Sequence, residues 1–139
     1  MKIFLDTFED EIRERLVNLP RRPFGLATGR TMQPIYTELV SRIKSWPTEE
    51  IVQLRNKWCS FNLDEYVGLQ GDSPHSFKSY IQEHFAIPLG LNNDQIRVPD
   101  GLAYDPHKEA IDYADQLKDF GGVGIQILGL GVNGHIGFN

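Results

Sequence analysis

Residues 28–31, Thr28-Gly29-Arg30-Thr31, form the first of three polar clusters whose residue types could carry chemistry. The cluster separates a short apolar run from a helical pattern, so the unpaired amides that begin the helix would point into the loop and could bind a phosphate. Gly29 would let the backbone approach a ligand closely, and Arg30 would add a charged fork to the hydroxyls of Thr28 and Thr31. A plain connection in which Thr31 caps the helix fits the local sequence as well.

The second cluster contains two adjacent carboxylates, Asp64 and Glu65, directly after a strand-like run. Side chains alternate along an extended chain, so one carboxylate would face a cleft and the other would face solvent or a neighbour. Burial raises the pKa of a carboxylate toward the range that a general base needs. The alternative is a pair of solvated loop carboxylates that cap a turn.

The third cluster is the glycine-rich segment 129–139, which contains Asn133 and His135. Its glycines satisfy the G-x-G-x-x-G pattern of dinucleotide-binding loops, but no helical pattern follows and no acidic residue can lie about 20 positions further on. The glycines could instead form a tight turn that presents His135, whose imidazole titrates near neutrality and can transfer protons. Asn133 would then orient the imidazole or the ligand. A structural or solvated histidine is the alternative.

Alternating strand-like and helical patterns must position these clusters. We predict helices near residues 7–18, 33–46, 76–85 and from Asp105-Pro106 onward, and strands near residues 24–27, 58–63, 96–98 and 123–128. Thr48 is predicted to cap a helical turn at residues 48–51. The alternation predicts an α/β fold with a Rossmann-like open sheet, mostly parallel, and helices on both faces. All three clusters follow strands, where ligands bind in such sheets.

The composition narrows the function classes. A net charge of -5 argues against a nucleic-acid partner, which normally needs a basic face. No stretch approaches the ~18 apolar residues of a membrane helix, so no membrane partner is expected. The single cysteine, Cys59, and the lack of zinc-ligand spacing predict no disulfide, no metal site and a cytoplasmic location. The 139 residues fit one α/β domain, which we expect to be incomplete because the sequence stops directly after a glycine-rich loop.

Three motifs together resemble the glucosamine-6-phosphate deaminase family. They are LATGxT at residues 26–31, FNLDEYVGL at 61–69 and LGVNGHIGFN at 130–139, with a serine–phenylalanine pair at Ser76-Phe77. The resemblance spans residues 24–139 and corresponds to the N-terminal part of the family. It implies conversion of glucosamine 6-phosphate and water into fructose 6-phosphate and ammonia, without a cofactor. The substrate partner would be a small sugar phosphate, and the resemblance leaves assembly as a homo-oligomer open.

The resemblance also implies roles for the three clusters. Asp64 would be the base that moves a proton between C2 and C1 of the sugar, and His135 would assist ring opening with Asn133 beside it. Thr28, Gly29, Arg30 and Thr31 would bind the phosphate, and Glu65 is placed with these substrate-binding residues.

Two residues and the chain end depart from the family pattern. Arg30 stands where many members carry a small residue, and Asn133 stands where some carry aspartate. A glutamate that follows the last motif in the family completes the ring-opening group, so the 139-residue chain is expected to be poorly active by itself. A 6-phosphogluconolactonase-like hydrolase and a non-catalytic sugar-phosphate-binding domain remain alternative functions.

Overall fold

Four short parallel strands form a sheet in this computed structural model, which describes residues 1–18 and 22–138. The strands are β1 (Phe24–Leu26), β2 (Ser60–Asn62), β3 (Ile96–Arg97) and β4 (Ile125–Gln126), in the spatial order β3-β2-β1-β4. Phe24 pairs with Ser60 on one side and with Ile125 on the other. The parallel α/β sheet is therefore confirmed, and the strands are shorter than the predicted runs.

Within the described residues, six α-helices accompany the sheet. They are α1 (Lys2–Val17), α2 (Met32–Lys44), α3 (Thr48–Lys57), α4 (Phe77–Ile81), α5 (Ile87–Leu89) and α6 (Pro106–Asp119). A π-helical turn, Gln82–Ala86, joins α4 to α5, and a 3₁₀ turn, Asn93–Gln95, precedes β3. The first helix begins five residues before its predicted start, and Asn139, the last residue of the glycine-rich segment, lies outside the described residues.

The main core lies on one face of the sheet. The buried residues of α1 recur at helical spacing: Leu5, Phe8, Ile12 and Leu16. Phe24 of β1 stacks on Trp58 with ring centroids 4.6 Å apart, and Trp58 packs against Phe85 at 5.1 Å. These aromatic contacts pack the start of β1 against the π-helical turn that carries Phe85.

The opposite face of the sheet is covered by α6. Phe61 points away from the main core, because side chains alternate along β2, and its ring lies 5.3 Å from Tyr113 and 5.7 Å from Phe120. The Tyr113 hydroxyl donates to the carbonyls of Asn62 (2.8 Å) and Arg97 (3.0 Å), at the ends of β2 and β3. Helices therefore lie on both faces, as predicted.

Two predicted helix starts have different outcomes. Asp105 caps α6 as predicted, because its Oδ1 accepts from the amides of His107 (3.0 Å) and Lys108 (3.1 Å). The predicted cap at Thr48 is wrong. No side chain of a described residue caps α3; instead the carbonyl of Pro47 accepts from the amides of Glu50 at 3.0 Å and Ile51 at 3.1 Å.

Candidate functional site

A cavity of about 420 Å³ lies beyond the carboxyl ends of β1, β2 and β4. All three polar clusters contribute to its lining, through Thr28, Gly29, Arg30, Thr31, Asp64 and His135. The clusters are also in direct proximity: a Cβ placed on Gly137 would lie 3.4 Å from the Asp64 Oδ2 atom. The fold thus brings together six of the eight residues predicted for the site. Glu65 and Asn133 lie outside the lining.

The loop of residues 28–31 presents free backbone amides. Within the described part of the chain, the N–H groups of Thr28, Gly29, Arg30 and Thr31 have no hydrogen-bond acceptor. Gly29 has φ +116, a conformation that favours glycine. Thr31 occupies the N-cap position of α2, but its side chain makes no capping bond. Four free amides at the start of a thirteen-residue helix form a setting that favours an anion.

The Arg30 side chain is exposed at the rim of this loop. It forms no ion pair with any described residue, so its guanidinium is free to add a charged, two-pronged donor beside the amides. The departure from the family pattern therefore leaves the loop open and adds a cation at its edge.

Asp64 is the half-buried carboxylate of the site. Burial raises its pKa, and the negative charge of the neighbouring Glu65 raises it further. An acid whose charged form is disfavoured in this way is a stronger base when it is ionised. Asp64 lies against Gly137 and within the cavity lining, so it can reach a bound ligand.

Glu65 points away from the cavity, which agrees with the expected alternation of the two carboxylates. Its Oε1 accepts from the amides of Tyr66 (2.9 Å) and Phe77 (3.0 Å), and its Oε2 accepts from Lys78 (3.0 Å). The carboxylate thus caps α4 and its oxygens are occupied by backbone amides. Glu65 therefore lies outside the cavity lining with its oxygens bound to backbone amides, and its predicted contact with the substrate stays a prediction.

The glycine-rich segment forms a tight turn that presents His135. The amide of Gly134 donates to the carbonyl of Gly131 at 2.9 Å, and the amide of Gly131 donates to the carbonyl of His135 at 2.9 Å. A Cβ on Gly131 would lie 2.2 Å from the imidazole, so any side chain at this position would displace the His135 ring from its present place. Within the described residues 129–138 the segment contains no helix, whereas the helix of a dinucleotide loop begins inside the glycine motif.

Asn133 contacts the imidazole, as one of its two predicted roles requires. The Asn133 Oδ1 atom lies 2.5 Å from the His135 Nδ1 atom and 3.4 Å from the His135 amide nitrogen. An amide oxygen only accepts, so this contact is a hydrogen bond in the tautomer that carries its proton on Nδ1, and that tautomer leaves Nε2 as the free acceptor. Asn133 therefore orients His135 from behind.

An apolar wall that sequence reasoning missed closes one side of the cavity. The rings of Tyr66 and Phe77 lie 4.7 Å apart, and Phe138 lies 5.3 Å from Tyr66 and 6.0 Å from Phe77. The only sequence signal was that these aromatics lie within or beside the polar motifs. Among the described residues no group of three His, Cys, Asp or Glu side chains is placed to hold a metal ion, and no helix is long and apolar enough to cross a membrane.

The fold and the cavity define an α/β protein whose site combines free loop amides, a half-buried carboxylate and an oriented histidine. No model of a protein family matches the chain. Curated relatives show what it is similar to: the glucosamine-6-phosphate deaminase of Alkaliphilus oremlandii is 37% identical over 128 residues, which are 92% of this chain and 51% of that protein. The deaminase of Clostridium novyi is 38% identical over 128 residues, again 92% of this chain and 51% of that protein.

A solved structure agrees with these relatives. It is described as a monomeric glucosamine-6-phosphate deaminase and a missing link of the NagB superfamily, and it matches 98% of this chain and 53% of its own with a TM-score of 0.78 and 32% identity. The resemblance seen in the motifs is therefore confirmed, and the chain is homologous to glucosamine-6-phosphate deaminases. It spans about half the length of the relatives it matches.

Proposed function

We propose that the protein containing this chain converts glucosamine 6-phosphate and water into fructose 6-phosphate and ammonia. The observation that carries the proposal is the convergence of the three polar clusters on one cavity, in a chain homologous to deaminases of this substrate. The proposed reaction requires anion donors, a base near the sugar carbons and a group that transfers protons near neutrality. The loop amides of residues 28–31, Asp64 and His135 line the cavity and are our candidates for these three functions.

The phosphate would bind at residues 28–31. The free amides of Thr28, Gly29, Arg30 and Thr31 supply donors, and the α2 N-terminus adds a partial positive charge. Arg30 adds a full positive charge at the rim. This placement extends the sugar from the loop toward Asp64 and His135 on the neighbouring strand ends.

Asp64 would move the proton between C2 and C1 during the aldose–ketose step. Its raised pKa makes the ionised carboxylate a stronger base than a solvated aspartate. Asn133 would hold His135 with its Nε2 atom free. When the sugar ring opens, Nε2 would accept the proton of the C1 hydroxyl, and the imidazole would donate a proton to the ring oxygen. Loss of the ammonium group from C2 then follows from isomerisation to the ketose-level intermediate and addition of water.

Ammonia release from glucosamine 6-phosphate tests the proposal. The assay is run on the 139-residue chain and on a longer form that carries its native downstream sequence. Asp64→Asn should lower the rate of the active form about 10²- to 10⁴-fold, the usual contribution of a general base. Asp72→Asn, which alters an exposed carboxylate outside the cavity lining, is the matched control.

Two outcomes would contradict the proposal. Folded protein that releases no ammonia in either form refutes the deaminase activity; lactone hydrolysis by the same protein would then identify the lactonase alternative, and sugar-phosphate binding without turnover would identify the binding domain. Equal rates for Asp64→Asn and wild type would refute the role of Asp64 while leaving the activity intact.

Two finer properties are proposals as well. The single half-buried cysteine fits a reducing compartment, so we propose a cytoplasmic location. Assembly as a homo-oligomer stays a prediction, and light scattering on the purified chain tests it.

A further inference from the structure

Two tyrosine hydroxyls bind backbone carbonyls of residues 27–31, which we call the anion-binding loop. Tyr36 donates to the carbonyl of Ala27 at 2.6 Å, and Tyr80 donates to the carbonyl of Gly29 at 2.8 Å. The Gly29 carbonyl also accepts from the amide of Met32 at 3.0 Å. Neither tyrosine lines the cavity, so both act on the loop from behind.

Because the peptide bond is planar, a hydrogen bond to a carbonyl also orients the N–H group of the next residue. In a trans peptide the carbonyl of one residue and the N–H of the next point in opposite directions. A hydroxyl that fixes the Gly29 carbonyl therefore also fixes the Arg30 N–H, and turns it away from Tyr80. The Arg30 N–H has no acceptor in the described part of the chain, and Arg30 lines the cavity.

Gly29 makes this fixation necessary. With φ +116 and no Cβ, and with nothing within 4 Å of where a Cβ would lie, its backbone has no side chain to limit rotation of the following peptide. The Tyr80 ring is itself held, because it lies 4.5 Å from the ring of His84 and 6.4 Å from that of Tyr36. Burial raises the pKa of Tyr80 to about 12, so the hydroxyl remains a donor throughout the physiological pH range.

The helix that carries Tyr80 is attached to the other side of the site. The Glu65 carboxylate accepts from the amides of Phe77 and Lys78, both at 3.0 Å, at the first turn of α4. Glu65 directly follows Asp64 in the chain, and Tyr80 lies one turn further along the same helix. The short helix α4 thus contacts the segment that carries Asp64 and Glu65 through the amides of its first turn, and it contacts the anion-binding loop through Tyr80.

We propose that Tyr80 is a positioning residue that aims the Arg30 amide at the ligand phosphate, and that α4 is a brace that fixes the loop relative to Asp64 through Tyr80 and Glu65. The proposal rests on the proposed function for the identity of the ligand as a sugar phosphate. The orientation of the loop itself can be measured without any ligand.

The binding test titrates the 139-residue chain with inorganic phosphate and with glucosamine 6-phosphate by calorimetry. Tyr80→Phe removes one hydroxyl and should weaken binding of either probe about 3- to 10-fold, as expected for loss of one hydrogen bond that orients a donor. Tyr113→Phe is the matched control, because its hydroxyl also donates to backbone carbonyls but on the opposite face of the sheet. Tyr113→Phe should lower the melting temperature without changing the affinity.

The brace is tested by combining Tyr80→Phe with Glu65→Gln. If both residues act through α4, the double variant should bind phosphate about as weakly as the weaker single variant, because either change releases the same helix. Fold-changes that multiply would show that the two residues act independently and would overturn the brace.

A ligand-free measurement keeps the two proposals separable. Backbone ¹⁵N relaxation of residues 28–31 should show increased mobility in Tyr80→Phe and none in Tyr113→Phe. If mobility is unchanged, Tyr80 does not position the loop, whatever the chain binds. If mobility increases but neither the wild-type 139-residue chain nor the longer form with its native downstream sequence binds either probe, the positioning role holds and the proposed sugar-phosphate function fails.

Discussion

Removing the Tyr36 hydroxyl gives a quantitative test of how the core supports the loop. Tyr36 is fully buried, and its hydroxyl donates to the Ala27 carbonyl at 2.6 Å. Tyr36→Phe keeps the ring, whose centroid lies 5.4 Å from that of Phe85, so the core packing is retained. The change therefore removes one buried hydrogen bond and leaves a carbonyl without that donor.

The expected loss of stability follows from these contacts. A buried hydrogen bond whose acceptor is left without a partner costs about 1–2 kcal/mol, after allowance for the phenol hydroxyl that no longer needs to be desolvated. Unfolding entropy of about 2.1 cal/mol/K per residue gives roughly 0.3 kcal/mol/K for a chain of 139 residues. Tyr36→Phe should thus lower the melting temperature by about 3–7 °C.

Thermal unfolding followed by circular dichroism, with urea titration at 25 °C, measures this effect. Tyr104→Phe is the control, because Tyr104 is fully exposed and should give no change beyond about 0.5 kcal/mol. A drop of less than about 1 °C for Tyr36→Phe, or a drop equal to that of Tyr104→Phe, would refute the view that this hydrogen bond anchors the loop.

Three further predictions concern single side chains of the site and its surroundings. The raised pKa of Asp64 means that the folded chain binds the Asp64 proton more tightly than the unfolded chain does, so the stability of the wild type falls as pH rises through that pKa. Asp64→Asn should have the same melting temperature as the wild type below about pH 4 and a higher melting temperature at pH 8. Equal melting temperatures at pH 8 would contradict the burial argument. Gly101→Ala would place a Cβ 2.5 Å from two backbone carbonyl oxygens, so it should lower the free energy of unfolding by about 1–3 kcal/mol in urea titrations. Gly129→Ala is the control, because its Cβ would meet no described atom within 4 Å. Equal losses of stability for the two variants would refute the packing argument. Asn133→Ala should release the Nδ1-protonated tautomer of His135, detected by ¹⁵N imidazole shifts, and an unchanged tautomer ratio would show that Asn133 does not orient the ring.

Local sequence patterns correctly predicted those helix starts and side-chain directions that depend only on residues a few positions apart. The Asp105-Pro106 pair fixed the start of α6, because a cap and a first-turn proline act within three residues. Alternation after β2 correctly separated Asp64 from Glu65. The cap at Thr48 was wrong because the Pro47 carbonyl takes the amides that the threonine oxygen was expected to bind. Short-range sequence patterns do not show which of two neighbouring acceptors, here the Pro47 carbonyl and the Thr48 hydroxyl, binds the amides at the start of a helix.

Local sequence patterns did not predict the contacts between residues that are distant in the chain. The Glu65 carboxylate binds amides 12 and 13 residues away, and the Tyr80 hydroxyl binds a carbonyl 51 residues away. Nothing in the local pattern of either residue indicates its partner, because the packing of α4 against the strand ends determines it. For the same reason the aromatic wall of Tyr66, Phe77 and Phe138 could be recognised only after folding had brought the three segments together.

The proposal that the three clusters form one site for a sugar phosphate is tested most directly by an NMR titration. The ¹⁵N-labelled chain is titrated with glucosamine 6-phosphate, and amide shifts are followed for all assigned residues. The structure predicts that the changes concentrate at residues 28–31, at Asp64 and at His135 with one common affinity. Shifts confined to other surfaces, or separate affinities for the three clusters, would show that they do not form one site.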